Sequence, residues 1–271
     1  MSLITNQLTQ CVQGKRIKDF KHEIFHEGKR RLDYTVILEN LDKIAGTVIQ
    51  KVESDTLFLD NGYVVTFGYD NGGIRYFADI TEAEIMKKDK KFITSGFAFI
   101  FVFDDDSCLI ISTNSWTGSF RVLSQAEYVP SDKISPYDRE KYTLDVFRPH
   151  FKKNIGVTAV CVTSKGFLDV DRGLMHEAFY RSKIHPKTKA SKLTDEEVEN
   201  LFNVIKDISD TVMLSGGKQG DIDLFGQTGT YEYSMNLKAV GKPCPVCGAT
   251  IEKANAFFSS IFFCPSCQIE K

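Results

Sequence analysis

Two Cys-x-x-Cys pairs, Cys244/Cys247 and Cys264/Cys267, stand 16 residues apart in "KPCPVCGATIEKANAFFSSIFFCPSCQ" near the end of this 271-residue chain. Each pair can grip one edge of a tetrahedral ion, because a tight turn brings its two sulfurs together. Four thiolates close the shell and leave no position for water, so the chemistry expected is one structural Zn²⁺. Binding would fold a hairpin too small to hold a core of its own. Redox dithiols are the alternative, but neither pair precedes a helix in a βαβ unit. The other cysteines, Cys11, Cys108 and Cys161, are isolated in apolar surroundings. That fits packed, reduced thiols and a cytoplasmic protein.

The formal net charge is −2, divided as −3 over residues 1–135 and +1 over residues 136–271. A nucleic-acid site would therefore have to be a local patch. The stretch "RSKIHPKTKASK" (181–192) offers Arg181, Lys183, Lys187, Lys189 and Lys192 with no acid. A solvated loop and helix start is the plainer reading of such a run. A composition of 42 % hydrophobic and 26 % charged residues suits a soluble globular protein. No apolar run is long enough to span a membrane as a helix. The start, Met1-Ser2-Leu3-Ile4-Thr5-Asn6, has neither the basic opening nor the apolar stretch of a secretory signal.

The elements that must position these residues change period midway. A short helix over 4–13, ended by Gly14, precedes eight candidate strands: "RIKDFKH", "TVIQKVES", "TLFLD", "YVVTFGY", "IRYFAD", "FAFIFVF", "CLIISTN" and "SFRVLS". Many alternate apolar and polar residues, with "DNG", "DDDS" and "WTGS" turns between them, which predicts a β-sandwich or barrel. "YVPSDKISPYD" reads as a linker. In "DRGLMHEAFYRSK" the residues Leu174, Met175, Ala178 and Phe179 share one helical face, with a break expected at Pro186. "KLTDEEVENLFNVIKDISDTVMLSGG" predicts a long helix. Thr194 and Glu197 form a capping box, Val198, Leu201, Phe202, Ile205, Ile208 and Val212 form an apolar stripe, and Gly216-Gly217 stops it. The stripe is core packing rather than a site.

The second half resembles the Fpg/Nei family of DNA glycosylases (formamidopyrimidine-DNA glycosylase and endonuclease VIII). "HEAFYRSKIHPKTKASKLTDEEVENLF" is similar to its helix–two-turns–helix, and "GKPCPVCGATIEK…FFCPSCQ" to its terminal zinc finger, with "SGGKQGDIDLFGQTGTY" between them. "QLTQCVQGKRIKDF" and the later "GGIRYF" resemble its first helix and β-domain less specifically. The resemblance implies an α+β multidomain fold: an N-terminal β-sandwich (1–128), a linker (129–140), a helix–two-turns–helix domain (141–230) and a C-terminal zinc-finger hairpin (231–271), arranged around a DNA-binding cleft. It implies double-stranded DNA, damaged or intact, as partner, no membrane, and a monomer.

Against the family pattern this chain departs where the chemistry lies. In the family an N-terminal Pro attacks the sugar C1′ as an amine and the adjacent Glu moves protons. Here Ser2-Leu3-Ile4 lead into the first helix, no Pro precedes Pro130 and no Glu precedes Glu23. The family's Gly-x-Gly-Asn-Gly turn at a backbone phosphate reads Asp169-Val170-Asp171-Arg172-Gly173. Asp171 would repel a phosphate and Arg172 would compensate. The phosphate-gripping Arg of the finger is missing from "AFFSSIFFC", with Ser259 nearest its position. Phe257 and Phe258 give that hairpin an apolar tip, while packing against the helical domain accounts for Phe262 and Phe263. The expectation is a DNA-binding relative with no catalytic residue, whose phosphate contacts are Arg172, Lys183, Lys187, Lys189 and Lys218. Lys218 stands where the family has a basic residue in the Gly-rich loop. An active glycosylase/AP lyase with another amine nucleophile or a different native N-terminus, and a protein–protein adaptor using the apolar tip, are the competing readings.

Overall fold

Apolar–polar alternation in the first half predicts eight strands, and among the described residues eight form there. A computed structural model describes residues 3–25, 38–69, 71–87, 96–113, 119–131, 134–162, 170–256 and 259–271. The chain divides into two units: Leu3–Pro130 with Gln219–Gly229, and Ser131–Lys218 with Thr230–Lys271.

The first unit opens with helix α1 (Leu3–Val12), which buries Leu8 and Val12. Gly14, at φ +86°, turns the chain out of it. Strands β1 (Ile17–Phe25), β2 (Ile49–Glu53), β3 (Thr56–Leu59), β4 (Tyr63–Gly68) and β5 (Ile74–Phe77) follow. Next come helix α2 (Ile80–Lys87) and strands β6 (Gly96–Phe103), β7 (Cys108–Thr113) and β8 (Ser119–Ser124). They make two antiparallel four-stranded sheets, β1-β6-β7-β5 and β2-β3-β4-β8, that share one core. The Phe99 and Phe120 rings, one from each sheet, stack at 3.6 Å between centroids.

Strand β6 explains its own unbroken apolar run. Phe97, Phe99, Phe101 and Phe103 face the shared core. Ala98, Ile100 and Val102 face the other side, packed with Cys108, Ile110 and Ile80 of α2. A strand buried on both faces loses its period-2 pattern. Helix α2 is absent from the sequence expectation because "ITEAEIMK" carries no apolar stripe. Asp79 starts it, accepting from the Thr81 amide at 2.6 Å.

Residues 219–229 complete this unit from far along the chain. The Leu224 amide donates to Gln7 Oε1 (3.0 Å), and the Tyr76 amide donates to the Leu224 carbonyl (2.9 Å). Gln7 Nε2 donates to Asp223 Oδ2 (2.8 Å) and Arg75 to the Asp223 carbonyl (3.0 Å). Asn71 donates to the Gly220 carbonyl and accepts from the Ile222 amide. Leu224 is fully buried in the sandwich core.

In the second unit, α3 (Leu144–Phe147) and α4 (Val157–Val162) precede α5 (Arg172–Arg181) and α6 (Asp195–Leu214). Leu174, Met175, Ala178 and Phe179 pack with Val198, Leu201, Ile205, Ile208 and Val212, and Phe202 lies at the edge of this cluster. The capping box forms: the Glu197 amide donates to Thr194 Oγ1 (3.2 Å) and the Thr194 amide to Glu197 Oε2 (2.9 Å). Helix α5 stops at Arg181, earlier than Pro186. Lys183 adopts φ +57°, its amide bonds the Tyr180 carbonyl, and the Ile184 amide bonds the Phe179 carbonyl. This is a Schellman closure, which orphaned helix-end carbonyls favour. A two-stranded hairpin, β9 (Glu252–Ala256) and β10 (Ser259–Phe263), ends the unit. Among the described residues no helix is long and apolar enough to cross a membrane.

Removing the Leu224 side chain opens a hole in the sandwich core. Leu224→Ala should lower the stability of the first unit by about 2–5 kcal/mol. Urea unfolding with amide exchange read at β5 and β7 measures this, and unchanged protection there would refute the packing role of residues 219–229.

Candidate metal centre and nucleic-acid interface

The four predicted cysteines converge. The Sγ atoms of Cys244, Cys247, Cys264 and Cys267 all lie within 4.8 Å of one another, and Cys244 and Cys264 are buried. Two of the separations are 3.4 Å (Cys247–Cys264) and 3.9 Å (Cys244–Cys267). A tetrahedron with zinc–sulfur bonds of about 2.3 Å has edges of ~3.8 Å, so the set fits Zn²⁺. Each pair sits on a turn: the Gly248 amide bonds the Cys244 carbonyl (2.8 Å), and the Gln268 amide bonds the Cys264 carbonyl (3.0 Å). The Tyr180 hydroxyl is 3.2 Å from Cys244 Sγ. Burial, followed by contact with Cys244, pushes its pKa up, so the phenol stays protonated and can donate to a thiolate. Such an outer donor steadies a metal ligand.

The cysteine hairpin is anchored to α5 and the stretch that follows it. The buried Gln268 accepts from the Cys264 amide (2.9 Å) and donates to the Ile184 carbonyl (2.8 Å). Phe262 packs edge-on to His176 of α5, and Phe263 to His185. The packing expected of these two rings is thus present. His176 is buried, its Nε2 has no hydrogen-bond partner among the described residues, and burial, helped by Arg172, lowers its pKa to about 4. It is neutral at physiological pH and serves as a packed ring. Phe257 and Phe258 lie outside the described residues, as does the Ser259 side chain.

The predicted basic residues fall into two groups. Lys183, Lys187 and Lys189 are exposed on the connection between α5 and α6, while Ile184, His185, Pro186 and Thr188 between them are buried. The inner side is fixed by bonds from Thr158 Oγ1 to the Pro186 carbonyl (2.7 Å) and from the Val157 amide to the Thr188 carbonyl (3.0 Å). Lys183 occupies a left-handed position that glycine fills at least cost. The second group lies at the start of α5. Arg172 is exposed there. Asp171 caps the helix, accepting from the Leu174 amide (2.8 Å), and pairs with Lys218. Asp169 is outside the described residues.

Arg181, part of the same basic run, is committed internally. Its Nε donates to Glu177 (2.8 Å) and its guanidinium to the Tyr231 hydroxyl (3.0 Å). Glu177 is 2 % exposed and also accepts from the Ser234 amide, the Ser234 hydroxyl and the Met235 amide. The i,i+4 spacing of Glu177 and Arg181 signals the pair in sequence. Its burial is not signalled.

No family model matches the chain. The chain is 31 % identical over 97 % of its length to a formamidopyrimidine-DNA glycosylase of Ligilactobacillus salivarius, covering 95 % of that protein. It is 24 % identical over 98 % of its length to one of Exiguobacterium sibiricum, again covering 95 %. Among solved structures, MutM (Fpg) of Thermus thermophilus superposes with TM-score 0.73 at 18 % identity, covering 99 % of this chain and 97 % of that one. Lactococcus lactis Fpg, in a complex with DNA containing an abasic site, gives 0.73 at 17 % identity with the same coverage.

Four thiolates so placed should retain one zinc per chain, and Cys264→Ser should lose it and loosen the β9–β10 hairpin while the sandwich stays folded. Elemental analysis of freshly purified protein checks the first point, and less than half an equivalent would rule the site out.

Proposed function

The chain belongs to the formamidopyrimidine-DNA glycosylase family, and we propose that it is a DNA-binding member that grips duplex backbone and has lost the family's amine chemistry. The helix–two-turns–helix reading of α5, the double turn and α6, and the zinc-finger reading of the C-terminal hairpin, belong to this proposal. So do a monomeric state and a cytoplasmic setting.

Lys183 carries the binding half of the reading. A non-glycine residue at the left-handed closing position of α5 costs roughly 1 kcal/mol relative to glycine. Local strain of this kind points to a use for the side chain. The side chain here is an exposed cation beside two others, Lys187 and Lys189, on a backbone fixed from within. Such a row suits phosphate oxygens, which position a protein on DNA without reading sequence. Arg172 extends the patch, and Lys218 belongs to it once freed of its carboxylate partner.

The loss of chemistry is inferred from what surrounds α1. A Schiff-base route needs an unprotonated amine set against C1′ and a group to move protons. Residues 1–22 contain neither Pro nor Glu. The nearest lysine after α1, Lys15, donates to Asp105 (2.5 Å), Tyr76 (2.7 Å) and Ser107 (2.8 Å). Burial alone would lower its pKa, but the hydrogen bonds to Asp105 and Tyr76 outweigh it and raise the value. Lys15 therefore stays a charged structural donor. Misplacement of a reacting group by about 1 Å costs on the order of 100-fold, and loss of proton transfer roughly 100- to 10,000-fold. The identity to glycosylases over nearly the whole chain favours the competing reading of retained activity, so the test must separate the two.

Borohydride reduction on abasic or oxidised-base duplex should trap no covalent adduct under conditions in which an active family member traps fully. An adduct on the N-terminal peptide would reject the loss of chemistry, and one on a lysine would reveal a relocated nucleophile. In a gel-shift salt titration, Lys183→Gly should reduce the slope of log affinity against log salt by about 1. The same change should stabilise the fold by roughly 0.5–1 kcal/mol. A variant with unchanged slope would show that Lys183 touches no phosphate.

A further inference from the structure

Lys218 does not stand free for a phosphate. We infer that Asp171 is a built-in competitor for DNA phosphate at this patch and sets how tightly the chain holds DNA, an inference that rests on the DNA-binding reading above.

One Asp171 oxygen, Oδ1, takes the Leu174 amide at 2.8 Å, and the other, Oδ2, takes the Lys218 ammonium. Both side chains are only about a third exposed, 38 % for Asp171 and 35 % for Lys218. A pair so placed is less screened than one fully in water. The Tyr233 ring presses on the next turn: a Cβ at Gly173 would lie 2.5 Å from Tyr233 Cδ2 and 3.3 Å from Asp171 Oδ1. The carboxylate is therefore held on both oxygens, by the helix amide and by the ammonium.

The charge arithmetic follows from these neighbours. Arg172 and Lys218 contribute two positive charges and Asp171 removes one. A DNA phosphate approaching Lys218 meets an ammonium already bonded to an anion, and it must displace that carboxylate or share the ammonium at the cost of repulsion. Asn accepts the Leu174 amide as Asp does and is an equally good helix cap, so Asp171→Asn removes the charge and keeps the cap.

The test is a salt titration of duplex binding by the full chain in four forms: wild type, Asp171→Asn, Lys218→Ala and the double variant. Asp171→Asn should bind roughly tenfold tighter at 0.1 M salt, with a slope steeper by about 0.9, one more phosphate neutralised. Lys218→Ala alone should leave the slope unchanged, and adding it to Asp171→Asn should cancel the gain. Circular dichroism melts confirm that each variant is folded. If wild type binds with a measurable slope and Asp171→Asn matches it, the inference falls while DNA binding stands. If Lys218→Ala alone flattens the slope, Lys218 already holds a phosphate and the inference also falls. If neither wild type nor Asp171→Asn binds duplex, the DNA-binding reading fails and takes this inference with it.

Discussion

A carboxylate that is almost completely buried must be neutralised and hydrogen-bonded, or it destabilises its surroundings by several kcal/mol. Glu177 of α5 meets that demand by drawing three segments together. Arg181 is fixed one turn later on its own helix, residues 234–235 are fixed by two amides and a hydroxyl, and Tyr231 is fixed through the second arm of Arg181. The remaining faces of α5 follow. Residues Leu174 to Tyr180 are all buried, against α6 on one side and against the finger through His176, Phe262, Tyr180 and Cys244 on another. A helix buried all round cannot rotate or slide without breaking one of these sets. It therefore fixes where the connection to α6 emerges, and with it the three exposed lysines.

This arrangement ties the metal site to the basic patch. Gln268 spans the Cys264 turn and the Ile184 carbonyl, one residue after Lys183. Losing the metal would release a segment that supports the inner side of that connection. A zinc held by the four cysteines would therefore steady the backbone that carries Lys183, without touching a phosphate. The hairpin sequence holds no arginine between residues 252 and 263.

What is legible in the sequence is periodic or punctuated. The strands, the capped helix α6 and the cysteine spacing each repeat at a fixed interval or end on a residue with special backbone needs, and each forms as expected. What is hidden depends on partners distant in sequence. Leu224 looks like one apolar residue in a Gly-rich loop, and nothing local reveals that Gln7, Asn71 and Arg75 hold its segment on the sandwich. Helix α2 shows no apolar stripe in sequence, although Ile80 packs against the outer face of β6 and β7. Asp171 reads in sequence as a repulsive neighbour of phosphate, and nothing local shows that its carboxylate already has Lys218. Lys183 reads as one cation of a run, and only the backbone angle marks it as costly to keep.

The net charge of −2 has a physical meaning in this setting. A DNA-binding surface on a slightly acidic chain is local, and its strength depends on which cations remain unpaired. Arg181 is spent on Glu177 and Lys218 on Asp171, while Lys183, Lys187 and Lys189 lie on a stretch whose sequence from 181 to 192 holds no acid. Counting basic residues therefore overstates the patch. An ion pair inside the fold subtracts a cation from it as surely as a substitution would.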